Sequence, residues 1–159
     1  MRILSIALLC LLALPQAVPA HDFTVQGLSI VHPWIPEPPP GAPAAAGYMV
    51  VINNGGGDDR LIGANAEFAG HTDLHSMSVT DEGVMEMRPL KDGLPIPSGE
   101  TVALEPGGVH IMFMDLVGTL REGERHYILL EFEKAGPVSV EFVVQKREDG
   151  MGMTMEEHS

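Results

Sequence analysis

The sequence predicts an all-β domain, an antiparallel sandwich or barrel, on three observations. Short runs rich in Val, Ile, Leu, Phe and Tyr recur roughly every ten residues, each closed by Gly, Pro or Asn. Several of them alternate apolar and polar residues with the period of a half-buried strand. No long amphipathic helical pattern and no internal repeat is present. At 159 residues the chain has room for one domain with an adequate core.

Taken in order, residues 1–20 read as a cleavable signal peptide. Met1-Arg2 gives a positive start, Ile3 to Leu14 an apolar run too short to span a membrane, and Val18-Pro-Ala20 a small-residue exit. Cleavage is expected after Ala20, so the mature chain begins His21-Asp22. The domain is expected over 21–146. His21 to His32 reads as one strand interrupted at Gln26-Gly27. Trp34 then opens an extended loop carrying Pro36, Pro38, Pro39, Pro40 and Pro43, and is expected to anchor in the core or the loop. Gly47 to Asn53 is a strongly apolar strand closed by the turn cluster Asn53 to Gly57. Arg60 to Phe68 continues as a strand or strand with a bend, with Leu61 and Ile62 inward.

Leu74–Thr80 and Val84–Leu90 form a hairpin around Asp81-Glu82-Gly83, a three-residue loop with its glycine left-handed. Leu94-Pro-Ile-Pro97 is too proline-rich for a central strand and belongs at an edge. Thr101–Leu104 and Val109–Met114 flank Glu105-Pro-Gly-Gly108. Glu124–Glu133 and Pro137–Lys146 close the domain, and 147–159 is a polar tail with Met151, Met153, Met155 and His158.

Charge and cysteine usage narrow the function. The formal charge is −13, and losing Arg2 with the leader brings it to about −14. Clustered Lys and Arg are missing, which argues against nucleic acid and anionic membrane surfaces. The single cysteine, Cys10, lies in the leader, and Leu9 before it is a poor residue for a lipoprotein cleavage site. The mature domain therefore has no thiolate metal site and no disulfide.

The chemistry gathers in residues 71–114. His75-Ser-Met77, Met85-Glu-Met87 and His110-Ile-Met112-Phe-Met114 repeat ligand types at alternate positions, so each group faces one side of its strand. The odd hairpin loop places Met77 opposite Met87 with His75 diagonal to it. If the His110 strand lies alongside, imidazoles and thioethers form a shallow cluster suited to a soft metal, above all Cu(I).

These residues carry a resemblance to the PCuAC family of periplasmic copper chaperones. The family signature is a histidine, a methionine a dozen or so residues on, and later a His-x-Met pair. His75 and Met87 keep the first spacing and His110-Ile-Met112 supplies the pair, with one extra residue between Met87 and His110 that the Leu90–Gly93 turn can absorb. Gly41-Ala-Pro, Gly47-Tyr-Met, Met85-Glu-Met-Arg-Pro89, Pro106-Gly-Gly108 and Phe132-Glu-Lys-Ala-Gly136 match as well. The resemblance spans about residues 22–146. It implies a cupredoxin-like Greek-key β-sandwich, a Cu(I) site made by His75, Met87, His110 and Met112, and transfer of copper to the cytochrome c oxidase copper centre, directly or with a Sco-type thioredoxin-fold protein.

Met77 and Met85 share the hairpin face as alternate ligands, and Met114 reads as core. His71 reads as a surface residue, His32 as structural or exposed, His126 as a strand-edge polar residue. His21 and the tail residues Met151, Met153, Met155 and His158 are candidates for a second copper. The alternative function is a periplasmic copper buffer or resistance protein with no dedicated acceptor. Blue-copper electron transfer needs a cysteine thiolate that the mature chain lacks. No Ser/His/Asp or paired-carboxylate arrangement supports an enzyme.

Overall fold

The structure is a computed structural model and describes residues 23–146. The expected leader at 1–20, His21, and the tail residues Met151, Met153, Met155 and His158 lie outside these residues. The described chain folds into eleven strands: β1 (Phe23–Val25), β2 (Leu28–Pro36), β3 (Ala44–Asn53), β4 (Asp59–Ala66), β5 (Ala69–Val79), β6 (Met85–Pro89), β7 (Leu94–Ile96), β8 (Thr101–Leu104), β9 (Val109–Leu116), β10 (Arg125–Phe132) and β11 (Gly136–Gln145). No helix occurs among the described residues.

Strand pairing follows the path β6-β5-β9-β3-β2-β11-β10-β4-β7, with β1 added to β2 and β8 to β3. β3 serves two layers. Its first half, Ala44–Gly47, pairs with β9, while Met49–Ile52 pairs with β8. Every second residue of β3 is buried, as its sequence AAAGYMVVIN requires for a strand with one face in the core. The class is the all-β one predicted, although β11 and β2 run parallel, so the pairing is not wholly antiparallel.

Inward residues from both layers form one core that includes Leu28, Ile30, Val51, Ile111, Phe113, Ile128, Leu130 and Phe142. Gly47 marks a close approach: a Cβ there would lie 2.8 Å from the Phe113 ring and 3.5 Å from that of Phe142. The absent side chain lets rings from β9 and β11 meet beneath β3.

Four local expectations change. Gln26 and Gly27 both take positive φ, so the first run is a hairpin of β1 on β2 rather than one interrupted strand. β2 continues through Trp34 to Pro36. A register shift between Val31 and Trp34, with His32 at φ 50, is a bulge that moves burial from Leu28 and Ile30 to Pro33 and Ile35. Trp34 is therefore a half-buried strand residue on the outer face, not a loop or core anchor. Leu61 is buried, but Ile62 is 51% exposed because adjacent strand residues face opposite sides.

Candidate metal centre

Local chemistry shapes the hairpin first. The Thr80 N–H donates to the Val84 carbonyl, the Gly83 N–H donates to the Thr80 carbonyl, and Gly83 sits at φ 79. This is the expected three-residue loop, and Met77 pairs with Met87 across it. On its other side β5 pairs with β9, setting His75 opposite His110, Asp73 opposite Met112 and His71 opposite Met114. Directly opposed residues share a sheet face. One face of three strands thus carries His71, Asp73, His75, Met77, Met87, His110, Met112 and Met114. β3 adds Ala44 and Ala46 to it, opposite Met114 and Met112.

The structure brings His75 and His110 together at 6.1 Å between ring centroids, nearly edge to face. Met112 lies diagonal to His75 from β9, and Met87 diagonal to it from β6. A concavity of about 220 Å³ is lined by Pro36, Pro39, Tyr48, Met77, Met87 and Met112 together with His110. Although His110 is on an outer face it is only 3% exposed, whereas Met87 is 45% exposed. Met112 and Met77 are half-buried.

The two imidazoles present different nitrogens. His110 donates Nδ1–H to the Gly108 carbonyl at 3.2 Å, which leaves Nε2 free to bind. Nδ1 of His75 is buried and has no hydrogen-bond partner. A buried imidazole nitrogen without a partner is costly unless something is bound to it. Burial pushes the His110 pKa below the ordinary imidazole value; the Gly108 bond opposes that shift, and the neighbouring His75 adds to it. His110 is therefore held in the neutral form that binds metal.

No group of three or more His, Cys, Asp or Glu side chains converges as a metal cage among the described residues. The nearest diagonal neighbours of His75 on this face are the thioethers Met87 and Met112, and two imidazoles with two thioethers form a donor set that suits Cu(I) rather than zinc or a hard cation. Of the alternate ligands, Met77 adjoins the cluster, and Met85 lies further along, opposite Val79 and 58% exposed.

Met114 is not core. It is half-buried on the same face as His110 and Met112, because β9 keeps Met112 and Met114 on one side and Phe113 on the other. His71 and His32 are exposed as expected. His126 lies at the start of β10, ahead of the β4 pairing that begins at Ile128, the strand-edge position expected, and its ring packs on Phe68 at 4.9 Å. Sequence reasoning missed Tyr48, whose ring is 6.3 Å from His110, the Pro36–Pro39 wall and the Gly108 carbonyl. Alternation in β3 could have placed Tyr48 outward. Only the β3–β9 pairing puts it beside His110.

The LpqE-like lipoprotein family model matches residues 28–144. The chain belongs to the LpqE-like family. Among curated proteins this LpqE-like chain is 38% identical over 82 residues to Lxx21020 of Leifsonia xyli subsp. xyli (strain CTCB07), a protein named as a lipoprotein. That match takes in 50% of this chain and 49% of the relative, so the chain spans about half the length of the curated relative it matches.

Among solved structures it is similar to the copper-bound PCuAC domain from PmoF2, with a TM-score of 0.67 and 29% identity over 80% of this chain and 99% of that one. The apo PCuAC domain from PmoF1 gives 0.68 and 27%, covering 80% of this chain and 100% of that one. The Cu(I) form of DR1885 from Deinococcus radiodurans gives 0.60 and 27%, covering 80% and 83%. The LpqE-like chain has the cupredoxin-like β fold of these PCuAC domains.

Proposed function

We propose that this protein is an exported, non-enzymatic copper carrier of the PCuAC type. It binds Cu(I) as cargo through His75, His110, Met87 and Met112. The observation that carries this reading is the cross-strand pair His75–His110, flanked by thioethers, with a buried His75 nitrogen that has no partner. The copper-bound states of its structural relatives support the same metal. The lipoprotein names of the family and of the Leifsonia relative support an envelope-associated protein; in this reading its compartment is the periplasm.

Neutral imidazoles and uncharged thioethers would leave the bound ion with its single charge, and no thiol proton need be released. Exposure of Met87 favours transfer over storage. An incoming thiolate or imidazole reaches this side of the ion first and displaces the thioether by ligand exchange. The acceptor in this reading is the copper centre of cytochrome c oxidase, reached directly or through a Sco-type protein.

The test is anaerobic Cu(I) titration of the mature chain against a competing chelator, beside Met87→Ala/Met112→Ala. One tight equivalent, lost in the double variant, is expected, followed by transfer to an oxidase copper domain. Unchanged binding in the variant would overturn the ligand set. Copper sensitivity on gene deletion with normal oxidase would point to a buffer instead.

A further inference from the structure

The ligand face carries one carboxylate that the proposed site does not use. Asp73 sits on β5 two residues before His75 and directly opposite Met112. Its Oδ2 accepts a hydrogen bond from His71 Nε2 at 2.9 Å and lies 3.9 Å from His75 Nε2. The other nitrogen of His75, Nδ1, is the buried one without a partner. A neutral imidazole carries one N–H and one lone pair, and the surroundings of the ring decide which nitrogen holds the proton. An anionic oxygen facing Nε2 favours N–H there and disfavours a lone pair. The lone pair is then left on Nδ1.

We propose that Asp73 is a positioning residue that holds His75 in its Nε2–H tautomer, so that His75 offers Nδ1 and His110 offers Nε2 to the same ion. The inference rests on the copper-carrier reading for its purpose, but the tautomer is a property of the metal-free protein. Gly108 sets the His110 tautomer through a backbone carbonyl, and Asp73 sets that of His75 through charge. The two imidazoles thereby converge from adjacent strands with opposite ring nitrogens. Asp73 also supplies a negative charge next to an otherwise uncharged ligand set, which offsets the charge of the ion. His71 bonds the same carboxylate oxygen at 2.9 Å, but strand parity alone places Asp73 on this face.

The experiment is long-range ¹H–¹⁵N NMR of the imidazoles in the metal-free mature protein, well above the imidazole titration range. It compares wild type, Asp73→Asn and His71→Ala, with Cu(I) competition on each. In wild type, His75 is expected to show a protonated Nε2 and an unprotonated Nδ1, and His110 the reverse. Asp73→Asn keeps the shape of the side chain and removes its charge. It should mix or invert the His75 pattern, leave His110 unchanged and weaken Cu(I) binding roughly tenfold, the lower end of what outer-shell partners contribute. His71→Ala should keep the His75 tautomer, since Asp73 remains.

A wild-type His75 with its proton on Nδ1, or a pattern unmoved by Asp73→Asn, overturns the proposal. If wild type binds no Cu(I), the carrier reading fails, while the tautomer result still decides the role of Asp73.

Discussion

His110 shows how much one residue can reveal about a site. It lies on the outward face of β9, yet it is 3% exposed at the wall of the concavity it shares with Tyr48, Pro36 and Pro39. Its folded pKa is below the 6.5 of an ordinary imidazole, chiefly through burial. Between those two values the unfolded chain holds a proton that the folded one does not, so stability rises with pH across that window. The metal-free protein should therefore lose stability as pH falls through about 6.5, and the loss should level off below the folded pKa. Denaturation midpoints measured across that range check this, and His110→Gln should flatten the slope.

Met87 makes the complementary case. At 45% exposure it contributes little to packing, so Met87→Ala should cost less than about 0.5 kcal/mol in a urea melt. The same variant should weaken Cu(I) binding in the chelator competition. A matched loss of both would mean that Met87 acts through the fold.

At the scale of elements, the site depends on the β5–β6 hairpin and on the seam between β9 and β3. Gly83 adopts φ 79 with open space around it. Gly83→Val would strain a left-handed position by about 1–2 kcal/mol and loosen the hairpin that carries Met87. The expected outcome is a several-fold weaker Cu(I) affinity from a residue far too short to touch the ion. Gly47→Ala tests the seam. Its new methyl would meet the Phe113 ring at 2.8 Å in a close-packed core, a cost of about 1–3 kcal/mol in denaturant unfolding.

Across the whole molecule, core and site share one strand. β9 sends Ile111 and Phe113 inward and His110, Met112 and Met114 to the opposite face. Cargo that binds only the folded chain should raise its stability by about 2.7 kcal/mol at a hundredfold excess over Kd. Thermal melts with and without Cu(I) should show this shift in wild type and not in Met87→Ala/Met112→Ala. Phe113→Ala should cost about 3–5 kcal/mol, because it empties the contact among Phe68, Phe142 and the space below Gly47.

Much of this was legible in the sequence because strand parity is local. Alternation showed which methionines and histidines share a face, and the odd loop of Asp81-Glu82-Gly83 put Met77 opposite Met87 before any fold was known. Proline placed β7 at an edge, and the Gly/Pro spacing predicted an all-β domain. Tertiary structure decided what parity cannot. A two-residue period says which side a residue faces, not which strand lies beside it. That β9 lies next to β5, so that His75 meets His110, follows from how the layers close over Phe113 and Phe142. The same closure brings Tyr48, Pro36 and Pro39 to line one concavity with His110, and Asp73 within reach of two histidines. It also moves Met114 out of the core and Trp34 out of the loop. Those outcomes rest on pairings between segments far apart in the chain, whose order is set by burying one shared core.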